Sequence, residues 1–356
     1  MALKFATLHD VARSAGVSYA TVDRVVNGRG GVAQKSAARV QSAILELGYE
    51  RDVSAANLAR KRVYRFRFLL PDDSNEFFSA LNHALRSHDD QPSPLRMRLE
   101  TQRVPAFSEQ PLIAALDGID AATTDCVCAV ALDTPAVIAA FQRARARGLR
   151  VLTLVSDIAP NARDHYIGID NLVAGKTAGR MMGLAHGRQR GCVLPIIGAK
   201  RAHDHIERLN GFCEVVKAYY PTIELLEPVR SRDAAATIHQ VLVDAWQTHP
   251  DLTGVYNVGA GNDGLIDWVA GIAPQDRPVM VIHELLSGSR TALDAGLIDA
   301  VIDQKPYEAI GEALRIMRLL VDEQPLPEMT PVITPAIYLR ENLPAITQTA
   351  NRMPSP

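Results

Sequence analysis

Apolar positions recur at i, i+3 and i+4 in three short stretches at the start of the chain, and this spacing predicts three helices. In "TLHDVARSA" Leu8, Val11 and Ala12 share one face, and Thr7 and Asp10 are spaced as a capping box. Gly16 permits a tight turn, and Ser18 is placed to N-cap a second helix. That helix turns Val22, Val25 and Val26 inward and leaves Tyr19, Ala20, Asp23, Arg24 and Asn27 outside. A third helix carries Val40, Ile44 and Leu47 on one stripe and stops at Gly48. Two short helices joined at a glycine and braced by a third make a helix-turn-helix head. From Tyr64 the pattern changes to strand-like runs: "YRFRFLLPD", "MRLETQRV", "CVCAVAL", "RVLTLVSD", "CVLPIIG", "TGVYNVG", "PVMVIHE" and "IDAVIDQ". Amphipathic segments such as "TPAVIAAFQRARARG" and "YEAIGEALRIMRLL" separate them. Strands alternating with helices give an α/β body, and so many units predict two parallel sheets covered by helices rather than one.

Charge sharpens this division. Residues 1–62 hold ten Lys/Arg against five Asp/Glu, whereas the remainder holds 28 against 35. A basic head on an acidic body is the electrostatic footprint of a nucleic-acid module joined to a domain for another partner. No apolar stretch approaches the length that spans a bilayer, and Met1 to Asp10 lacks the pattern of a secretory signal, so a cytoplasmic location with no membrane partner is expected. Cys126, Cys128, Cys192 and Cys213 form neither a CxxC pair nor a zinc spacing and are expected to be reduced and mostly buried.

Through "TLHDVARSAGVSYATVDRVVN" and "RVQSAILELGY" the head resembles the lac repressor family of bacterial transcription regulators. The resemblance implies that Thr7, Ser18, Tyr19, Ala20, Thr21, Arg24 and Asn27 meet DNA, with Tyr19, Ala20 and Arg24 reading bases in the major groove. Asp23 departs from the family pattern, in which a serine commonly precedes the arginine. Val53 to Ala59 correspond to the family's hinge helix, with Ala55 on DNA and Leu58 matching a leucine that wedges into the minor groove. The implied partners are a pseudo-palindromic double-stranded operator and a second copy of the chain.

Residues 64 to about 340 resemble the two-lobed periplasmic sugar-binding proteins of the ribose-binding type, most clearly in "HYIGIDNLVAGKTAGRMMG". The resemblance implies a small effector, a sugar or polyol, held between the lobes by residues at strand ends. Asn75 would bond a hydroxyl and Phe77 and Phe78 would stack on a sugar ring. Arg208 would fork onto adjacent hydroxyls, while Asn262, Glu284 and Gln304 supply an amide, an acid and an amide. Val155 stands where an acid is common, leaving Asp157 as the substitute. The expected organisation is a DNA-binding head at 1–50, a hinge and linker at 51–63, an effector and dimerisation body at 64–342, and a disordered tail at 343–356.

One motif points elsewhere. Gly259, Gly261 and Gly264 have the spacing G-x-G-x-x-G between a strand-like and a helix-like run, with Glu284 about twenty residues on, as in a dinucleotide-binding turn. Such a turn normally opens its domain, whereas this one comes late, so a loop that lets Asn262 reach a small ligand is the preferred reading. A NAD(P)-binding oxidoreductase or nucleotide sensor is the alternative, and an exported solute-binding protein a second. No catalytic set, cofactor or metal site is expected; His203, His205 and Glu207 fit no zinc spacing and read as a polar rim beside Arg208.

Overall fold

A computed structural model describes residues 6–49, 62–72, 76–89, 96–199, 202–327 and 333–345. The chain forms two compact units, Met1–Arg62 and Val63–Pro356. In the first, α1 (Leu8–Ala15) begins with a capping box in which Thr7 and Asp10 satisfy each other's backbone N–H. It ends at Gly16, whose φ of 59° is the left-handed conformation glycine adopts without strain. Then α2 (Tyr19–Val26) starts at the Ser18 cap, and α3 (Gln34–Leu47) stops at a left-handed Gly48. Val11, Ala12, Ala15, Val22, Val40 and Ala43 form the small core, with Val25, Val26 and Ile44 packed on its edge. Leu47, expected on the buried stripe, is exposed; Ala43, one turn before it, takes the inward position. The hinge residues, Ala55 and Leu58 among them, lie outside the described residues.

In the second unit the N-lobe contains β1 (Val63–Pro71), α4 (Glu76–Asp89), β2 (Arg96–Val104), α5 (Glu109–Asp117), β3 (Cys126–Ala129), α6 (Pro135–Ala146), β4 (Arg150–Leu154) and β5 (His165–Ile167). Its sheet has the order β2-β1-β3-β4-β5, all parallel. Alternation along β1 sends Phe66 and Phe68 to one face and Leu69 to the other, where α5 and α6 bring Leu112, Leu116, Val137 and Phe141. Burial on both faces explains why these strands read as unbroken apolar runs.

The C-lobe follows: α7 (Asn171–His186), β6 (Gly191–Ile197), α8 (His203–Tyr219), β7 (Ile223–Leu225), β8 (Val229–Arg230), α9 (Ala235–Thr248), β9 (Gly254–Asn257), α10 (Asn262–Ala270), β10 (Val279–His283), α11 (Ser287–Asp294) and β11 (Ala300–Asp303). Then α12 (Pro306–Val321) returns to pack on α4, β3, β4 and β5 of the N-lobe. Finally β12 (Ala336–Tyr338) adds an antiparallel edge to β11, giving the order β12-β11-β10-β9-β6-β7 with β8 beside β6. The chain therefore crosses between the lobes three times, and Ile333 N–H bonds the Gly168 carbonyl at 3.3 Å where two crossings meet. Of the expected tail, Pro344 accepts a hydrogen bond from Arg290, and 346–356 lie outside the described residues.

The glycines of "NLVAGKTAGRMMG" form a ridge on α7. A Cβ at Gly175 would overlap the Arg208 carbonyl, one at Gly179 would lie 2.8 Å from the Phe212 carbonyl, and one at Gly183 would enter the Tyr220 ring. These residues let α8 press against α7 backbone to backbone, which fixes the helix that carries Arg208.

Candidate functional site

The head's outer face is α2. Tyr19, Ala20 and Arg24 are exposed there, and the Tyr19 ring rests on His9 with centroids 4.6 Å apart. The hydroxyls of Thr7, Ser18 and Thr21 are engaged within the head: Thr7 accepts from Asp10 N–H, Ser18 accepts from Thr21 N–H, and the Ser18 and Thr21 hydroxyls bond at 2.9 Å. Asn27 donates to both the carbonyl and the carboxylate of Asp23, at 2.7 Å each, and Arg29 closes on the other carboxylate oxygen at 3.1 Å. The acid that departs from the family pattern is thus neutralised by Arg29, leaving Arg24 clear of it. Ala20, Thr21 and Arg24 line a shallow concavity shared with Gly31, Val32, Ala33 and Ser36 at the start of α3.

In the body, a cleft of about 690 Å³ opens between the carboxyl ends of the two sheets, the position where parallel sheets hold ligands. Phe77, Phe78, Arg208, Glu284 and Gln304 all line it, as do Ser156, Asp204, His205 and Asp233. Arg208 is 2% exposed; it donates from Nε to Asn171 at 2.9 Å and from Nη1 to the Val258 carbonyl at 3.0 Å, with Asp204 3.8 Å from Nη2. Asn171 donates in turn to the Tyr166 hydroxyl at 3.2 Å, which lies 2.9 Å from the Val155 carbonyl, so the arginine is braced from both lobes. His205 Nδ1 accepts from Gly198 N–H at 3.0 Å, which requires the neutral ring with its proton on Nε2.

Among the described residues, five buried polar atoms of this cleft's lining have no hydrogen-bond partner: Ser156 Oγ, Arg208 Nη2, Asp233 Oδ1, Glu284 Oε2 and Gln304 Oε1. Leaving one such group unsatisfied costs about 1–3 kcal/mol, so their convergence on one space marks where a polar ligand or ordered water belongs. Burial, followed by the charge of Asp303, pushes the Glu284 carboxyl up to about 8. Burial also raises Asp233. At neutral pH Glu284 is therefore mostly an uncharged acid, able to donate as well as accept. Its Oε1 accepts from Gln304 Nε2.

Three expectations are corrected. Arg208 projects from the second turn of α8, and Phe77 and Phe78 from the first turn of α4, so the lining is not confined to loops at strand ends. Asp157 does not line the cleft: both its oxygens accept from Arg163 at 2.6 Å and one also from Thr153, because the left-handed turn at Val155 (φ 68°) aims Asp157 back along β4. Asn262 is the first residue of α10, and its amide ties Asn257 to the His283 carbonyl; it lines only an adjoining recess. Asn75 lies outside the described residues.

The glycine motif has a structural explanation. A Cβ at Gly259 would strike the Asp233 carboxylate, Gly261 caps α10 with φ 81°, and Gly264 packs on the Ala235 carbonyl of α9. A carboxylate occupies the space over the turn where a pyrophosphate would need backbone N–H groups. Sequence reasoning missed Asp233 and Ser156. Asp233 follows a two-residue strand in a left-handed pair with Arg232 (φ 55° and 58°), which no apolar period announces.

His203 and Glu207 make no metal cluster with His205; His203 instead bridges Glu207 and, across the cleft, Asp133 at 3.3 and 3.4 Å. Ser287 donates to Glu76 as a second link across the lobes. Among the described residues one donor group could hold an ion, Cys192 with His249 and Asp251, at the end of the C-lobe sheet away from the cleft. The four cysteines are free, three of them buried. No described helix is long and apolar enough to cross a membrane.

Comparison with known proteins agrees with both units. Residues 66–325 match the profile described as periplasmic binding protein domain, and residues 7–52 that of bacterial regulatory proteins, lacI family. The regulator DegA of Bacillus subtilis is 36% identical over 85 residues, 24% of this chain and 25% of its own length. Catabolite control protein A of Staphylococcus xylosus is 42% identical over 79 residues, 22% of this chain and 24% of its own. The matched segment thus spans about a quarter of these curated relatives. Among solved structures, a solute-binding protein of Burkholderia graminis in complex with D-arabinose has a TM-score of 0.70 at 22% identity, covering 78% of this chain and 96% of that one. The glucose-galactose binding protein GanP of Geobacillus stearothermophilus has 0.71 at 20%, covering 80% and 100%. The chain belongs to the family of periplasmic-binding-protein domains and carries at its N-terminal end the helix-turn-helix of bacterial regulatory proteins of the lacI family.

Proposed function

We propose that this protein is a sequence-specific DNA-binding transcription regulator, a repressor acting as a cytoplasmic homodimer, and that a sugar or polyol bound in the cleft controls it. The observation that carries the effector half is the convergence of five unpartnered buried polar atoms on one cleft of a chain whose head exposes Tyr19, Ala20 and Arg24. In this reading Arg208 Nη2 donates to a ligand hydroxyl, Asp233, Gln304 and Ser156 accept from others, Glu284 does either, and Phe77 and Phe78 cover the ring. Asn75, in the segment before α4, is a further candidate. Closing of the lobes on the ligand changes the angle at which two heads, joined through the hinge at 51–63 with Ala55 and Leu58, meet a pseudo-palindromic operator. Two heads are needed because one reads too few bases for a specific site.

The test is a two-step binding experiment on the full chain. DNA selected from a random pool gives the operator, and fluorescence anisotropy then measures affinity with and without each member of a sugar and polyol panel. A palindromic consensus whose affinity changes with one sugar is expected. Selection without sequence enrichment would overturn the regulator; enrichment with no response to any carbohydrate, but a response to NAD(H), would favour the nucleotide alternative.

A further inference from the structure

The two walls of the cleft differ in chemistry. On the C-lobe side the strand ends and α8 present Asp204, His205, Arg208, Asp233, Glu284 and Gln304. On the N-lobe side, among the described residues, the ends of β1, β2, β3 and β4 present Pro71, Val104 to Phe107, Val130 to Leu132 and Val155, with Leu112 of α5 behind them. Ser108 and Ser156 are the lining hydroxyls there; Asp157 is held by Arg163, and Asp133 at the rim is paired with His203. Among the described residues, ring hydroxyls turned to this wall beyond the reach of Ser108 and Ser156 would meet apolar side chains and lose their water without replacement bonds.

Phe107 points to what fits instead. Its φ is 56°, a left-handed conformation that an aromatic residue adopts at a cost, and such strain concentrates at ligand clamps. The ring is half-buried, lines the cleft and meets the His205 ring edge-on with centroids 6.1 Å apart, reaching from the N-lobe to the C-lobe.

We infer that the effector is an amphipathic carbohydrate, a sugar carrying an apolar aryl or alkyl substituent, with its hydroxyls on the C-lobe wall and its substituent between Phe107, Leu112 and Leu132. The inference rests on the reading of the cleft as a carbohydrate site and names which carbohydrates it takes. Burying a phenyl group against this wall removes enough apolar surface from water to tighten binding by at least about tenfold over the free sugar.

The experiment is calorimetric titration of the full chain with matched sets: free D-galactose, D-glucose, D-xylose and L-arabinose, and the methyl and phenyl glycosides of each. For the sugar that fits, the phenyl glycoside should bind at least about tenfold tighter than the free sugar, with the methyl glycoside between them. Phe107→Asn suits the left-handed backbone, since asparagine adopts it readily, and should cut that gain to less than about threefold while leaving the free sugar's affinity within about twofold. Leu132→Asn, in the same apolar cluster, should do the same. Free sugars that bind as tightly as their phenyl glycosides would overturn the inference and leave the sugar site standing. Glycosides whose advantage survives both substitutions would overturn the placement of the substituent. If neither free sugars nor glycosides bind, the carbohydrate reading falls with it.

Discussion

Replacing Glu284 by glutamine should flatten the pH dependence of stability in the C-lobe. Glu284 is 2% exposed at the end of β10, and its carboxyl is pushed from the ordinary 4.5 up to about 8, first by burial and then by Asp303. The folded pKa of this acid is raised, so the folded state holds the proton more tightly than the unfolded chain does. Its contribution to stability is fully present below pH 4.5 and is lost as pH rises through about 8. At about 1.36 kcal/mol per unit, the loss is on the order of 3 kcal/mol by neutral pH and approaches 5 kcal/mol in alkali. The substituted glutamine keeps the oxygen that accepts from Gln304 and mimics the protonated acid without titrating. Both tryptophans, Trp246 and Trp268, pack edge to face in the C-lobe, so their emission follows this lobe alone. Urea melts between pH 5 and 9 should show wild-type protein losing stability with rising pH and Glu284→Gln losing less, the curves parting by about 3 kcal/mol or more at the alkaline end. Parallel curves would refute the reasoning: Glu284 would then ionise freely, and the cleft would be wetter and more charged than its geometry implies.

Other substitutions test other parts. Arg24→Ala should weaken operator binding by about 1–3 kcal/mol and relax preference at one base pair per half-site; an equal loss on all sequences in anisotropy titrations would make Arg24 a phosphate contact instead. Arg208→Ala removes a charged donor from the cleft, so the effector should bind at least about tenfold more weakly by calorimetry while operator affinity of the ligand-free protein holds. Gly179→Ala drives a methyl toward the Phe212 carbonyl and should destabilise the body by about 1–3 kcal/mol in the same melts, whereas an unchanged midpoint would mean that α7 and α8 separate freely. The bridge of His203 to Glu207 and Asp133 raises the imidazole pKa, chiefly through the Glu207 hydrogen bond, so the bridge holds at acid pH and is lost as pH rises. His203→Gln should therefore reduce effector affinity a few-fold at pH 6 and scarcely at pH 8.5, as expected of a half-exposed ion pair worth up to about 1 kcal/mol.

The elements with a clear apolar period were legible beforehand: the three head helices, and the strands from β1 to β4 and from β6, β9, β10 and β11. The two- and three-residue strands β5, β7, β8 and β12 were not, because so short a run has no period and exists only where a neighbouring strand completes its hydrogen bonds. The cleft divides in the same way. Glu284 and Gln304 stand directly after apolar strands, so position alone pointed to them. Arg208 was expected at a loop after a strand, whereas it lines the cleft from a helix seated on a glycine ridge. Asp233 and the diversion of Asp157 to Arg163 depend on left-handed turns at non-glycine residues, which tertiary contacts impose and local sequence does not disclose. The G-x-G-x-x-G spacing shows the converse: the same three glycines that could cradle a phosphate serve here to admit a carboxylate, cap α10 and seat it on α9.

The return of α12 to the N-lobe also governs how this protein is made. Everything from α7 to β11 leaves the ribosome before α12 does, and the N-lobe face formed by Cys126, Cys128, Leu152 and Leu154 packs against Ala313 and Met317 of that last long helix. The nascent N-lobe, covered on this face only by α4, therefore waits with the β3–β5 part of its apolar face open while the whole C-lobe is synthesised, and a chain released before Met317 lacks the helix that covers it. Such a product exposes the surface that chaperones and proteases recognise.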